Sequence, residues 1–321
     1  MSRCTAIGIC GLALLNLASA GCRPSASPPA EPQRPPQKKA TVIGVSQSNA
    51  GEPWHEQMNK NIQAAAQKHP ELEVVFQDAA DDPLKQCVDV EKFIAARVKL
   101  IIISPTQSQP LTEPVAKAID AKIPVIVLDR AVIGDKYTCF LGADNKKIGF
   151  AAGTWLAQKL GGKGKIVELE GLMTSTAAQD RHSGFRAAIR DPGYRVIFEA
   201  DIQWKQDRAR EEMAAALSQS SEIDAVYAHS DQAAYGAYQA AKAANREKRI
   251  IFVGIDALPR EGVAYVAQGI LDASFEYPTG GAEAIETALK ILHGETVPKR
   301  IPLRSRVFTK ENVAHGGDPL E

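Results

Sequence analysis

The chain has 321 residues, 45% of them hydrophobic and 24% charged, which is enough apolar material for two packed cores and the wrong balance for a disordered protein. Lysine plus arginine and aspartate plus glutamate stand at 38 each, so no net field draws the protein to nucleic acid or to an anionic surface.

The first 22 residues read as an export signal. Arg3 precedes an apolar run from Thr5 to Leu17, followed by Leu17-Ala18-Ser19-Ala20-Gly21-Cys22. A basic start, a short apolar stretch and small residues at the end fit that reading. The run is shorter than the about 20 apolar residues of a spanning helix. Two cleavage patterns compete. Ala18-Ser19-Ala20 fits ordinary signal cleavage, and Ser19-Ala20-Gly21-Cys22 resembles a lipobox that would lipidate Cys22, with Ser19 where leucine is usual. Residues 23–40 are rich in proline from Pro24 to Pro36 and are expected to form an extended tether. A tether favours the lipidated form, because it is useful when something anchors its front end.

From Thr41 the pattern alternates strand and helix. Thr41-Val42-Ile43-Gly44-Val45 is the first strand, with a helix from about Trp54 to Lys68. Glu73 to Phe76, Leu100 to Ile103, Val125 to Leu128 and Thr138 to Gly142 follow as strands, separated by helices over Pro83 to Arg97 and Leu111 to Ala121. Continuous apolar runs ending at Asp129 fit strands covered on both faces. The motif restarts at Lys165 to Leu169 and continues through Ala225 to Tyr227 and Ile250 to Gly254. Strict alternation predicts parallel sheets with right-handed crossovers, and about ten strands suit two sheets of five or six. The extended segments near Leu141 and Ser274 have no helix of their own and read as passages between lobes.

Several chemistries find no support. No glycine-rich dinucleotide or nucleotide loop follows the first strand, where the sequence is Gln47-Ser48-Asn49-Ala50-Gly51-Glu52-Pro53. His229-Ser230-Asp231 has the letters of a triad, but a triad is convergent geometry rather than adjacency. Asp78, Asp81 and Asp82 lack the calcium-loop spacing and read as a solvated loop before the helix at Pro83. No metal or cofactor is expected. Cys4 and Cys10 fall in the signal, which leaves Cys87 and Cys139 either paired or as buried thiols.

Six motifs in order resemble the periplasmic sugar-binding proteins of ribose/galactose type, the receptors of ABC importers. They are Ile103-Ser104-Pro105-Thr106, Ile123 through Arg130, Gly142-Ala143-Asp144-Asn145, Glu168-Leu169-Glu170-Gly171, Ala177 through Phe185, and Val253-Gly254-Ile255-Asp256. The resemblance covers about Thr41 to Phe308. It implies an α/β fold of two doubly wound parallel-sheet lobes joined by a three-strand hinge. The lobes would be 41–143 plus 277–303 and 144–276 plus 304–321. It also implies ligand-facing side chains at Trp54, His55, Ser104, Asp129, Arg130, Arg181, Trp204, Ser230, Asp256 and Glu276, with Glu52 matched less securely because its loop is longer.

The chemistry of those positions is coherent on its own. Trp54 and Trp204 can sandwich the apolar face of a sugar ring, while Asp129 and Asp256, each ending a strand, can accept from hydroxyls. Arg130 and Arg181 supply planar donor forks. Ordinary packing would equally account for the two tryptophans, a helix cap for Asp256 and a solvated helix face for Arg181. Ribose-type receptors usually carry amides where this chain has Ser104, Ser230 and Glu276, and an aromatic where it has His55. The excess of acid predicts a neutral sugar or polyol, with an amino sugar as second choice, and rejection of anionic sugars.

The expected function is a monomeric, non-enzymatic solute receptor that delivers its ligand to an ABC transporter permease. The alternative is a sugar-sensing lipoprotein feeding a chemotaxis or two-component receptor, and neighbouring permease and ATPase genes would separate the two. A transcriptional repressor of the same fold would carry a DNA-binding headpiece before Thr41, where this chain has the signal and tether.

Overall fold

A computed structural model describes residues 40–320; the signal, Cys22 and nearly all of the proline-rich tether lie outside the described residues. The first lobe opens with β1 (Thr41–Gln47), α1 (Pro53–Ala66), β2 (Leu72–Asp78), α2 (Pro83–Ala95), β3 (Leu100–Ile103), α3 (Ser108–Asp120), β4 (Val125–Leu128) and β5 (Cys139–Gly142). The second contains α4 (Asn145–Leu160), β6 (Gly164–Glu170), α5 (Thr176–Ala188), β7 (Tyr194–Asp201), α6 (Gln206–Gln219), β8 (Ala225–Ala228), α7 (Asp231–Ala243), β9 (Ile251–Asp256), α8 (Gly262–Ala267) and β10 (Ala273–Glu276). The chain then returns to the first lobe through α9 (Gly281–Leu292) and β11 (Arg300–Pro302), and ends on the second with β12 (Arg306–Thr309) and β13 (Asp318–Pro319).

Strand order is β11-β5-β4-β3-β1-β2 in one sheet and β13-β12-β10-β9-β8-β6-β7 in the other. The chain therefore passes between lobes three times, after β5, after β10 and after β11. The apolar runs explain themselves in this setting. Leu100 and Ile102 of β3 join the core against α1 and α9, while Ile101 and Ile103 join the core against α2 and α3. A strand whose alternate side chains enter two different cores must be apolar throughout.

The first sheet is wholly parallel, but β12 runs antiparallel to both β10 and β13, so the expectation of purely parallel sheets holds for one lobe only. The departure arises where the last passage brings the chain back beside β10 with no helix to reverse it. Strands number thirteen among the described residues rather than about ten, because β11 to β13 are too short to show a pattern. Asp82 caps α2, accepting from Leu84 N at 2.8 Å, which gives the aspartate-rich loop a structural role. Cys87 and Cys139 are both free thiols; Cys87 is half-buried on α2, and Cys139 is buried in β5, where burial pushes its thiol up to about 11.

Candidate functional site

Parallel sheets bring strand carboxyl ends to one edge, and open α/β folds hold ligands there. Here Asp129 follows β4, Ser230 follows β8 and Asp256 ends β9. The side chains meet in a cavity between the lobes with about 490 Å³ of empty space, part of it open to solvent. Its walls include Glu52, Trp54, His55, Asp129 and Arg130 from the first lobe, and Arg181, Trp204, Ser230 and Asp256 from the second.

Two expected positions do not reach the cavity. Ser104 is buried behind Asp129 and donates from Oγ to Asp129 Oδ2 at 3.1 Å. A serine is too short to pass the carboxylate, so it orients the acid instead. Glu276 is half-buried at the end of β10, where burial pushes its carboxyl up and the nearby Arg306 charge opposes that. The adjoining volume belongs to Tyr277, whose ring lies 5.4 Å from Trp54 and 4.9 Å from the Arg181 guanidinium carbon.

The two arginines are held before any solute arrives. Arg181 Nε donates to Asn145 Oδ1 at 2.8 Å and its Nη1 donates to the His229 carbonyl. Arg181 also stands 3.5 Å from Asp256 Oδ1. Arg130 Nε is 3.6 Å from Asp129 Oδ2 and Nη1 donates to Thr106 O at 3.5 Å. Both guanidinium groups sit over Trp204, at 5.7 Å for Arg130 and 5.4 Å for Arg181, within cation–π range. Since Arg130 belongs to the first lobe and Trp204 to the second, this contact spans the cleft. So does the hydrogen bond from Ala131 N to Thr176 Oγ1, at 3.0 Å.

Trp54 is fixed at the start of α1 by its Nε1, which donates to Tyr277 O at 3.0 Å. Trp204 follows β7 with φ of 64°, and Gly171 makes room for it, since a Cβ there would lie 2.2 Å from the indole. His55 is buried, its Nε2 3.1 Å from Ser48 Oγ. Its Nδ1 lies 3.3 Å from Glu52 Oε2, close enough for an ionic contact but without hydrogen-bond geometry.

The cavity carries an excess of acid. Burial raises the Asp256 carboxyl well above the usual range, with Arg181 only partly offsetting it and Asp231, Glu261 and Asp129 adding to it. Glu261 is likewise pushed up by burial, opposed by the Gln232 amide at 3.4 Å. Five lining residues escaped the sequence reading: Pro53, Ala177, Gln232, Glu261 and Tyr277. Tyr277 and Gln232 lie one and two residues beyond expected contacts, a signal that was available. Glu261 precedes the six-residue α8, too short to leave a periodic trace.

Among the described residues one group has donor atoms close enough for a metal: Glu168, Glu170 and His182. Glu168 Oε2 accepts from Arg186 Nε at 2.6 Å, and its Oε1 lies 3.1 Å from His182 and 3.3 Å from His229. The guanidinium already supplies the positive charge an ion would bring, so the cluster reads as a balanced structural network beneath Arg181.

The chain's relatives share this architecture. The profile of the periplasmic binding protein domain matches residues 43–296. The ribose import binding protein of Haemophilus influenzae is 32% identical over 250 residues, 77% of this chain and 85% of that protein. That of Bacillus subtilis is 31% identical over 291 residues, 89% of this chain and 94% of that one. Among solved structures, the fructose-binding periplasmic domain of a hybrid two-component system is 43% identical with a TM-score of 0.83, covering 85% of this chain and 92% of that chain. An ABC-transporter solute-binding protein from Bacillus halodurans, with bound myo-inositol, is 28% identical with a TM-score of 0.82, covering 87% and 98%. These relatives are solute-binding proteins rather than enzymes, and the chain belongs with them to the periplasmic sugar-binding proteins of ribose/galactose type.

Proposed function

We propose that this protein binds a monosaccharide or polyol in the interlobe cavity and delivers it to the permease of an ABC importer. The observation that supports this best is the convergence of Trp54, Asp129 and Arg130 from one lobe with Arg181, Trp204 and Asp256 from the other. Indole faces suit the C–H surface of a ring, and carboxylate and guanidinium groups suit its hydroxyls. Ser230 and His55 complete the wall as polar partners. With Glu261 in place of the expected Glu276, four carboxyl groups face two guanidinium groups, and burial pushes those of Asp256 and Glu261 toward the uncharged form, so the wall suits a neutral sugar or polyol first and an amino sugar second.

The domain boundaries that fit this reading are residues 41–143 plus 277–303 and residues 144–276 plus 304–321, hinged at the three passages. Solute touching both lobes favours the closed arrangement. Moving closure from 1:99 to 99:1 requires a preference of about 5.5 kcal/mol for the closed form. The protein acts as a monomer, and a lipid on Cys22 with the tether of residues 23–40 would hold it at the cell envelope. The mass of the mature N-terminal peptide checks that anchor, with diacylglycerol on Cys22 expected and an unmodified terminus at Gly21 contradicting it.

A second reading has a specific observation behind it. The 43% identical neighbour is the fructose-binding periplasmic domain of a hybrid two-component system, so the same cavity in this chain suits a sugar-sensing lipoprotein that reports to a chemotaxis or two-component receptor.

A thermal-shift panel of pentoses, hexoses, amino sugars, polyols and one sugar acid tests the binding claim. A ligand at 100 times its dissociation constant adds about 2.7 kcal/mol. That corresponds to a rise of roughly 5–10 °C, using about 2–4 °C per kcal/mol. A shift with the acid alone overturns the charge argument, and no shift across the panel overturns the binding assignment.

A further inference from the structure

Asp231 is a carboxylate that the binding cavity does not touch, yet it is 1% exposed and set among three cavity-bearing strand ends. It is the first residue of α7, directly after Ser230. An acid at that position ordinarily serves its own helix, but here the helix is capped by Ser230, whose Oγ accepts from Ala233 N at 3.2 Å. The Asp231 oxygens go elsewhere. Oδ2 accepts from Ala257 N at 2.7 Å, at the end of β9, and Oδ1 accepts from Ser274 Oγ at 2.7 Å, on β10.

The socket is built around that carboxylate. A Cβ on Gly254 would lie 2.2 Å from Oδ1, and one on Gly262 would lie 1.9 Å from Oδ2. Two glycines on separate elements thus leave the space the acid fills. What it grips is also unusual. Asp256 has φ of 122° and Ala257 φ of 50°, two consecutive non-glycine residues on the costly side of the map. Such residues are strained and persist only where their surroundings hold them.

The peptide between Asp256 and Ala257 carries the N–H that Asp231 binds. Fixing that N–H fixes the peptide plane, and with it the direction in which Asp256 leaves the backbone toward Arg181. We infer that Asp231 is a positioning residue for solute binding: its buried carboxylate clamps the strained Asp256–Ala257 turn and so aims Asp256 into the cavity. The inference rests on the assignment of Asp256 to the solute site. The Ser274 contact ties the same clamp to β10, whose end leads into one of the three interlobe passages.

Three variants and three readouts (amide exchange, affinity and melting midpoint) test it. Asp231→Ala removes both acceptors. Asp231→Asn can keep its oxygen on Ala257 and turn its amide toward Ser274, whose hydroxyl can accept. Ser274→Ala removes the second contact and leaves the turn alone. Amide hydrogen exchange across residues 255–262 is read without sugar, and affinity is read for whichever of D-fructose, D-ribose and myo-inositol stabilises the wild type most. Expected are a protected Ala257 amide in the wild type, loss of that protection with at least a tenfold fall in affinity in Asp231→Ala, and recovery of both to within about threefold in Asp231→Asn. Ser274→Ala should lower the melting midpoint while affinity stays within threefold. An Ala257 amide that exchanges as fast as an open loop in the wild type overturns the inference, even if Asp231→Ala fails to fold. Affinity within threefold of wild type in a folded Asp231→Ala protein also overturns it. If no sugar binds the wild type, the cavity assignment fails, and the exchange comparison alone decides whether Asp231 holds the turn.

Discussion

Trp204 shows how much of the cavity depends on single residues. Its backbone is left-handed at φ 64°, two arginines lie over its ring, and the space it occupies exists because residue 171 has no side chain. Gly171→Ala should therefore act on the indole rather than on the core. A Cβ at 2.2 Å from the ring forces it to move, and calorimetry should show affinity for the best sugar of the panel falling about tenfold, the order of one aromatic contact with its cation–π partners. Unchanged affinity would mean that the ring face is not part of the binding surface. Sequence made the charged residues easiest to find, because Asp129 and Asp256 each interrupt an apolar strand at its end. Ser104 and Glu276 were misplaced because a strand end fixes position along the chain, not how far a side chain reaches. Tyr277 fills the volume next to Glu276, and its hydrogen bonds with Asp129 and Trp54 join residues more than a hundred positions away.

At the scale of elements, α4 and α5 set the height of Arg181. A Cβ on Gly149 would lie 2.2 Å from Arg181 O and one on Gly184 would lie 2.0 Å from Lys146 O, so the helices touch backbone to backbone. Beneath them Glu168 of β6 gathers His182 and Arg186 from α5 and His229 from the end of β8. Burial alone would push the Glu168 carboxyl up, but hydrogen bonds from His182 and His229 and the Arg186 charge outweigh it and leave it at about 2. The sign follows from linkage: a depressed carboxylate adds stability above its unfolded value of 4.5 and loses it as pH falls through about 2. His182, raised chiefly by its bond to Glu168, adds stability below 6.5 and loses it as pH climbs through its raised value. Denaturant melts of wild type and Glu168→Gln should therefore differ most between about pH 4.5 and 6.5 and converge toward pH 2. A gap independent of pH would show that the carboxylate's charge is not what the network uses. None of this network was legible beforehand, because each residue looks like an ordinary helix or strand charge until the fold stacks β6 under α5.

For the molecule as a whole, alternation of strand and helix was enough to expect two sheets, since runs such as Leu100 to Ile103 can only be buried on both faces. Two of the three passages were readable from the segments near Leu141 and Ser274, and the third came only with the family resemblance. The lack of a helix that marked those segments fails at β10, which α8 precedes and α9 follows. The antiparallel pairing of β12 was not readable, since a four-residue strand carries no direction in its composition. Those passages make the cavity a joint product of both lobes, and a solute that engages both is what closure requires. Asp129 is the acid on which the first lobe's share converges: Ser104 and Arg130 meet its carboxylate, and Tyr277 donates to its backbone carbonyl. Isothermal titration of wild type and Asp129→Ala with the most stabilising sugar of the panel tests the central claim most directly. Loss of a charge-assisted contact that leaves buried partners behind should weaken binding by roughly a hundredfold, about 2.7 kcal/mol. Binding by the variant within threefold of wild type would contradict it.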